Sequence, residues 1–251
     1  MPFIAAAGRS LEYQQLGGAE PALVFLHEGL GSIAQWRDFP QRVAAATGRR
    51  ALVYNRYGYG NSEVFAGDRV GSDFMHVEAL RVLPELLQIL QVEEPILVGH
   101  SDGASIALIY AGAGNPARGL VALAPHVFVE ENGLKSIREA KKTFETTDLP
   151  QRLAKYHRDP RRTFYLWNDA WLEPEFRRWN IEQYLPQIRC PVLAIQGEDD
   201  VYGTMTQLDA IARQVAGPCE LLKLPRCGHA PHRDQPDAVL QKILDFVSRG
   251  T

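Results

Sequence analysis

Cysteine is scarce in this chain, and its scarcity removes several classes of protein at once. The three cysteines, Cys190, Cys219 and Cys227, are an odd number with no Cys-x-x-Cys spacing. Neither a disulfide framework nor a zinc site is expected. Long apolar runs are also missing, and none approaches the roughly 20 residues that a membrane-spanning helix needs. The first residues hold no basic-then-apolar leader, since Met1 to Ala7 is short and Arg9 interrupts it. A cytoplasmic location with no membrane partner is therefore expected. Charge of one sign is lacking too. Lys and Arg number 27 against 30 Asp and Glu, a formal net charge of -3, which gives no long-range attraction to nucleic acid. Basic pairs at Lys141-Lys142, Arg161-Arg162 and Arg177-Arg178 are interleaved with acids and read as solvated helix faces. No repeat, low-complexity tract or metal constellation is visible, and no cofactor is expected.

What is present is a rhythm of short, unbroken apolar runs. They fall at Ala22–Leu26, Ala51–Tyr54, Pro95–Val98, Leu120–Ala124, Val192–Ile195 and Leu221-Leu222. Runs without alternation are what strands covered on both faces require, so they predict a parallel sheet. Helix-like segments lie between them: 36–47, 74–91 with a kink at Pro84, 102–113, 204–216 and 236–248. Alternating strands and helices predict an α/β fold, a doubly wound and mostly parallel sheet with helices on both faces.

One interval breaks the rhythm. From Ala124 to Val192 no strand-like run occurs, and helix formers mix with aromatics that include three of the four tryptophans. The spacing predicts a helical cap over 125–187, set between 1–124 and 188–251. Its aromatics serve either the insertion's own core or an apolar substrate pocket, with Trp167 and Trp171 as pocket candidates.

The chemistry concentrates at three places. Gly99-His100-Ser101-Asp102-Gly103 follows a strand and opens a small-residue helix. In such an elbow the serine sits on a strained turn with its hydroxyl exposed, and the flanking glycines allow close backbone approach. A helix-capping serine is the plainer alternative. A serine hydroxyl needs a base to become a nucleophile. His229, in Cys227-Gly228-His229-Ala230-Pro231-His232 between the last strand and the last helix, is the candidate. His232 is its rival, read instead as a rim residue or a polar helix cap. The base in turn needs a carboxylate to fix its tautomer. Asp200 is the choice within Gly197-Glu198-Asp199-Asp200, with Glu198 and Asp199 read as turn or surface residues. His27 and His100 are read as loop-holding residues, and His126 as either pocket lining or a satisfied loop histidine.

These motifs, taken in the order Ser, Asp, His, resemble the α/β-hydrolase superfamily, specifically its capped serine-hydrolase branch, over nearly the whole chain. Two further segments carry the resemblance. Leu26-His27-Glu28-Gly29-Leu30-Gly31-Ser32 follows an early strand, and Asn55-Arg56-Tyr57-Gly58-Tyr59-Gly60-Asn61-Ser62 is similar to the family's Asp-Arg-x-Gly-x-Gly-x-Ser loop. The family's spacing places its acid three residues after the glycine, at Asp200. The resemblance also implies an oxyanion hole from the backbone N–H groups of Gly29 and Asp102. Glu28 departs from the family, which usually has glycine there, and Asn55 replaces aspartate. Glu28 either binds a basic or backbone partner or reaches the pocket and shapes substrate choice. The expected activity is hydrolysis of a small carboxylic ester bearing an apolar group, by a monomer or homodimer. Thioester, amide, lactone or carbon–carbon hydrolysis and cofactor-free haloperoxidase activity stay open, as does a non-catalytic receptor that retains the triad. An aspartate-nucleophile dehalogenase or epoxide hydrolase is disfavoured by Ser101.

Overall fold

The computed structural model describes residues 1–250 and contains one sheet of eight strands in the order β1-β2-β4-β3-β5-β6-β7-β8. The strands are β1 (Phe3–Ala6), β2 (Arg9–Leu16), β3 (Ala19–Leu26), β4 (Arg49–Tyr54), β5 (Ile96–His100), β6 (Gly119–Leu123), β7 (Val192–Gly197) and β8 (Cys219–Leu224). From β4 to β8 every pairing is parallel, while β1 and β2 join as antiparallel strands at one edge.

The continuous apolar runs are explained by two cores, one per face. In β3, Val24 and Leu26 face one core while Leu23 and Phe25 face the other. On the second face lie α1 (Phe39–Thr47) and α10 (Pro236–Ser248), the latter delivering Val239, Ile243 and Phe246. The first face is covered by α2 (Phe74–Val77), a π-helical turn (Glu78–Val82), α3 (Leu83–Ile89), α4 (Asp102–Gly112) and α8 (Thr206–Gln214). The wider turns just before Pro84 accommodate a residue that has no N–H to donate and whose ring crowds the preceding turn.

Two expectations need correction. No strand was anticipated before Ala22, yet β1 and β2 form the antiparallel edge. They are only partly buried, so polar and apolar residues mix along them and no unbroken apolar run marks them. The run at Leu221-Leu222 was expected to be covered on both faces, but β8 is the opposite edge strand and only partly buried. A third adjustment is local: the segment 36–47 divides into a 3₁₀ turn (Ile33–Trp36) and α1.

Between β6 and β7 the chain forms α5 (Glu131–Thr146), α6 (Leu149–Leu153), α7 (Pro160–Leu172) and two 3₁₀ turns, Phe176–Arg178 and Glu182–Gln187. Phe144 stacks on Phe164 at 3.9 Å and Phe176 on Trp179 at 5.4 Å between ring centroids. These aromatics knit the insertion together, whereas Trp167 and Trp171 line cavities beside Ser101. No described helix is long and apolar enough to cross a membrane.

Candidate active site

Ser101 occupies the turn between β5 and α4 with φ 53° and ψ −117°. A non-glycine residue there costs on the order of 1–3 kcal/mol, which the surroundings must impose. They do so through tight packing. A Cβ on Gly99 would lie 2.3 Å from the Gly103 carbonyl oxygen, and one on Gly103 would lie 2.0 Å from that of Leu26. Both glycines are therefore required for α4 to press against β3 and β5. The Ser101 N–H donates to the Leu123 carbonyl at 2.9 Å, which pins the elbow to the end of β6.

The loop after β8 returns to this elbow. A Cβ on Gly197 would sit 2.0 Å from the Cys227 carbonyl oxygen, so the ends of β7 and β8 close together only because that position is glycine. His229 is thereby carried over Ser101, with Nε2 2.9 Å from Oγ. On its other side Nδ1 lies 2.9 and 2.8 Å from the two carboxylate oxygens of Asp200. Asp200 also accepts from the Tyr202 N–H at 2.8 Å and from Gln196 Nε2 at 3.2 Å. Burial alone would raise its pKa, but the His229 ring, followed by the Tyr202 N–H, outweighs it and holds the group below its ordinary value. Glu198 and Asp199 point to solvent.

His232 does not sit at a rim. It is 3% exposed and packs against Trp36 at 4.8 Å, His100 at 4.8 Å and Phe39 at 5.3 Å. Because α9 (Pro231–Asp234) turns inward over α1, the ring is enclosed by aromatics, and burial pushes its pKa down to about 2.

The loop after β3 is fixed by a buried network. His27 Nδ1 donates to the Glu28 carbonyl at 2.7 Å and Nε2 accepts from the Arg56 N–H at 3.1 Å. Acceptance at Nε2 requires the neutral ring, and burial followed by the Arg56 charge keeps its pKa well below the usual histidine value. The Glu28 side chain turns toward basic partners, with Oε2 3.4 Å from His100 Nδ1 and Oε1 3.5 Å from Arg233. Burial opposes its charge, yet the His100 ring and Arg233 prevail, so its pKa falls well below the carboxylate range. It also borders the same cavity as Ser101. Asn55 has its own logic: its amide donates to Glu12 at 2.6 Å while its oxygen accepts from the Ile33 N–H. An aspartate there would oppose the Glu12 carboxylate.

A cavity of about 130 Å³ joins these elements, bordered by Gly29, Ser101, Asp102, His126, Trp167, Trp171, Tyr202 and His229. Among the described residues, the N–H groups of Gly29 and Asp102 have no hydrogen-bond acceptor. The Asp102 carboxylate is buried, accepts from Trp171 Nε1 at 3.2 Å and lies 4.0 Å from Arg56, and burial raises its pKa to about 6. His126 lies against Trp171 and His229 at 5.3 and 5.7 Å, and its pKa is lowered to about 3, chiefly by burial.

Four contributors were not anticipated from sequence. Gln196 and Tyr202 orient Asp200, Arg56 faces Asp102, and His157 links the insertion to the core. His157 accepts from the Gly60 N–H and donates to the Leu30 carbonyl, both at 3.0 Å. Of the four, only Arg56 lies in a motif, the loop Asn55 to Ser62; the other three carry no signal in the sequence.

Comparisons with known proteins add to this geometry. The profile of the alpha/beta hydrolase family matches residues 23–242. The chain is 27% identical over 253 residues to the serine hydrolase BPHL of Mus musculus, an alignment covering 97% of this chain and 85% of that protein. It is also 34% identical over 88 residues to a proline iminopeptidase of Lactiplantibacillus plantarum, which covers 35% of this chain and 30% of the relative. Among solved structures it superposes on the enol-lactonase from Burkholderia xenovorans LB400 with TM-score 0.76 and 19% identity, covering 98% of this chain and 100% of that one.

Proposed function

Because the chain belongs to the alpha/beta hydrolase family, we propose that it is a serine hydrolase that cleaves a small carboxylic ester through an acyl-enzyme intermediate. The observation that carries this reading is the continuous line from Asp200 through His229 to Ser101, with contacts of 2.8 and 2.9 Å. Asp200 accepts a hydrogen bond from the Nδ1–H of His229, which leaves the Nε2 lone pair aimed at the Ser101 hydroxyl. His229 removes that proton as Oγ attacks the ester carbonyl. The carbonyl oxygen becomes an anion, and the free N–H groups of Gly29 and Asp102 serve as its oxyanion hole. Collapse expels the alcohol, which takes the proton from His229. Water then attacks the acyl-enzyme with the same base, releasing the acid and restoring Ser101.

The segment 125–187 acts in this reading as a cap whose Trp167 and Trp171 limit the acyl group. A cavity of about 130 Å³ is well below the roughly 300 Å³ at which ligand pockets usually begin. Short, apolar acyl groups are therefore favoured, with no cofactor. Substitution Ser101→Ala is expected to lower turnover of p-nitrophenyl acetate by about 10³-fold or more. Ester cleavage that survives the substitution in purified protein contradicts the mechanism.

The similarity to proline iminopeptidases supports a second reading, cleavage of an amide after an amino-terminal proline. Turnover of proline p-nitroanilide exceeding that of short esters would select it. A receptor that retained these residues would instead be labelled by a fluorophosphonate yet show only a single turnover.

A further inference from the structure

Beside the serine's cavity lies a larger one, of about 290 Å³, that no step of this reaction uses. Trp167 borders both spaces, its Nε1 packed so closely on Gly29 that a Cβ there would come within 2.0 Å of it. The second divider is an ion pair. Arg56 borders the large cavity, and its guanidinium lies 4.0 Å from the carboxylate of Asp102, which borders the small one. One indole ring and one ion pair thus separate the two.

The charges around the large cavity are unequal. Arg9, Arg56, Arg69 and Arg81 border it, against Asp73 and Glu78. Arg56 is opposed by Asp102 and Arg69 by Glu173. Glu78 accepts a hydrogen bond from Tyr54, and burial raises its pKa, so its charge is disfavoured. Arg9 lies over the Tyr57 ring at 4.3 Å, and among the described residues neither Arg9 nor Arg81 has a carboxylate partner. Tyr59 also borders the space, with the Arg56 guanidinium 4.7 Å from its ring centroid. Asp73 has no basic partner among the described residues, and elsewhere the wall is mostly apolar, with Phe65, Phe74, Val82 and Leu166. Two arginines without carboxylate partners, against the single unpaired carboxylate of Asp73, on a mostly apolar wall complement an anion carried on a hydrocarbon stem.

We propose that this second cavity is a subsite for the distal part of the substrate, taking an apolar chain that ends in a carboxylate, with Trp167 as the partition the chain must pass. The proposal rests on the ester-hydrolase reading and deepens it. Short esters stay within the small cavity. Longer ones reach the arginines only when the Trp167 ring yields.

The test compares p-nitrophenyl esters of plain and ω-carboxy acyl chains from four to ten carbons, and acetate esters of plain and ω-carboxy alcohols of the same lengths. In one of the two series, kcat/KM for the carboxylated member is expected to exceed that of its neutral counterpart by about tenfold, and only beyond a threshold length. In the Arg9→Gln/Arg81→Gln double variant that ratio should fall at least fivefold, and Trp167→Ala should move the threshold to shorter chains. Carboxylated and neutral members of equal kcat/KM at every length, with short esters still turned over, would overturn the proposal. If no ester is cleaved and Ser101 takes no fluorophosphonate, the ester reading itself has failed. Calorimetry of adipate binding to Ser101→Ala then decides the subsite alone: binding weakened about tenfold by Arg9→Gln/Arg81→Gln supports it, and absence of binding overturns it.

Discussion

At the scale of single residues, proximity in sequence says little about environment. Asp199 and Asp200 are neighbours, yet one is exposed while the other is held by His229, Gln196 and the Tyr202 N–H. Asp200→Asn keeps the shape but favours the wrong tautomer of His229, so kcat for a short ester should fall about 10⁴-fold. Asp199→Asn should leave kcat within about twofold, because its side chain makes no contact with the base. Comparable losses in both variants would reject Asp200 as the orienting acid. The sequence alone left this choice to family spacing, since both acids follow the same strand.

The histidines divide similarly by burial. His126 and His232 have pKa values lowered to about 3 and about 2, mainly by desolvation. In the unfolded chain both titrate near 6.5. Below that pH the unfolded state takes up protons that the folded state refuses, so the depressed pKa values cost almost nothing at pH 7 and destabilise progressively as pH falls toward 3. His232→Phe places an apolar ring among Trp36 and Phe39. It should shrink the loss of unfolding free energy between pH 7 and pH 5 by on the order of 2 kcal/mol. Urea titrations at the two pH values check this, and an unchanged difference would contradict neutral burial. Nothing in the sequence distinguished this ring from a surface cap, because its enclosure depends on α1, nearly 190 residues earlier.

At the scale of elements, legibility followed burial. Strands covered on both faces, β3 to β7, announced themselves as apolar runs, and so did the face of α10. The edges β1, β2 and β8 did not, because a half-covered strand mixes residue types. The elbow was legible for a different reason: Gly99 and Gly103 are needed where α4 meets β5 and the end of β3. Gly103→Ala would place a methyl 2.0 Å from the Leu26 carbonyl oxygen, backbone that cannot rotate aside. A destabilisation of more than about 3 kcal/mol is expected, read as a lowered urea midpoint or loss of folded protein. A variant of undiminished stability would show that α4 packs less closely than described.

The whole molecule explains why the site could be only partly read. Ser101, Asp200 and His229 come from three strand ends far apart in the chain, and the sheet alone brings them to one edge. Their types and order were legible as motifs. The supporting contacts from Gln196, Tyr202, Arg56 and His157 were not, because they depend on how the insertion and loops settle around the sheet. Glu28 shows both sides of this: its departure from the family was visible, but its pairing with His100 and Arg233 required coordinates.

In the proposed mechanism all of this converges on the Ser101 hydroxyl. The direct measurement is labelling of the purified protein by an alkyl fluorophosphonate, with the adduct located by peptide mass spectrometry, alongside turnover of p-nitrophenyl acetate. One equivalent of label on Ser101, abolished by Ser101→Ala and slowed by His229→Gln, with ester turnover lost in proportion to labelling, is the expected result. Label elsewhere, or full ester turnover after Ser101 is blocked, would contradict the assignment of Ser101 as the nucleophile.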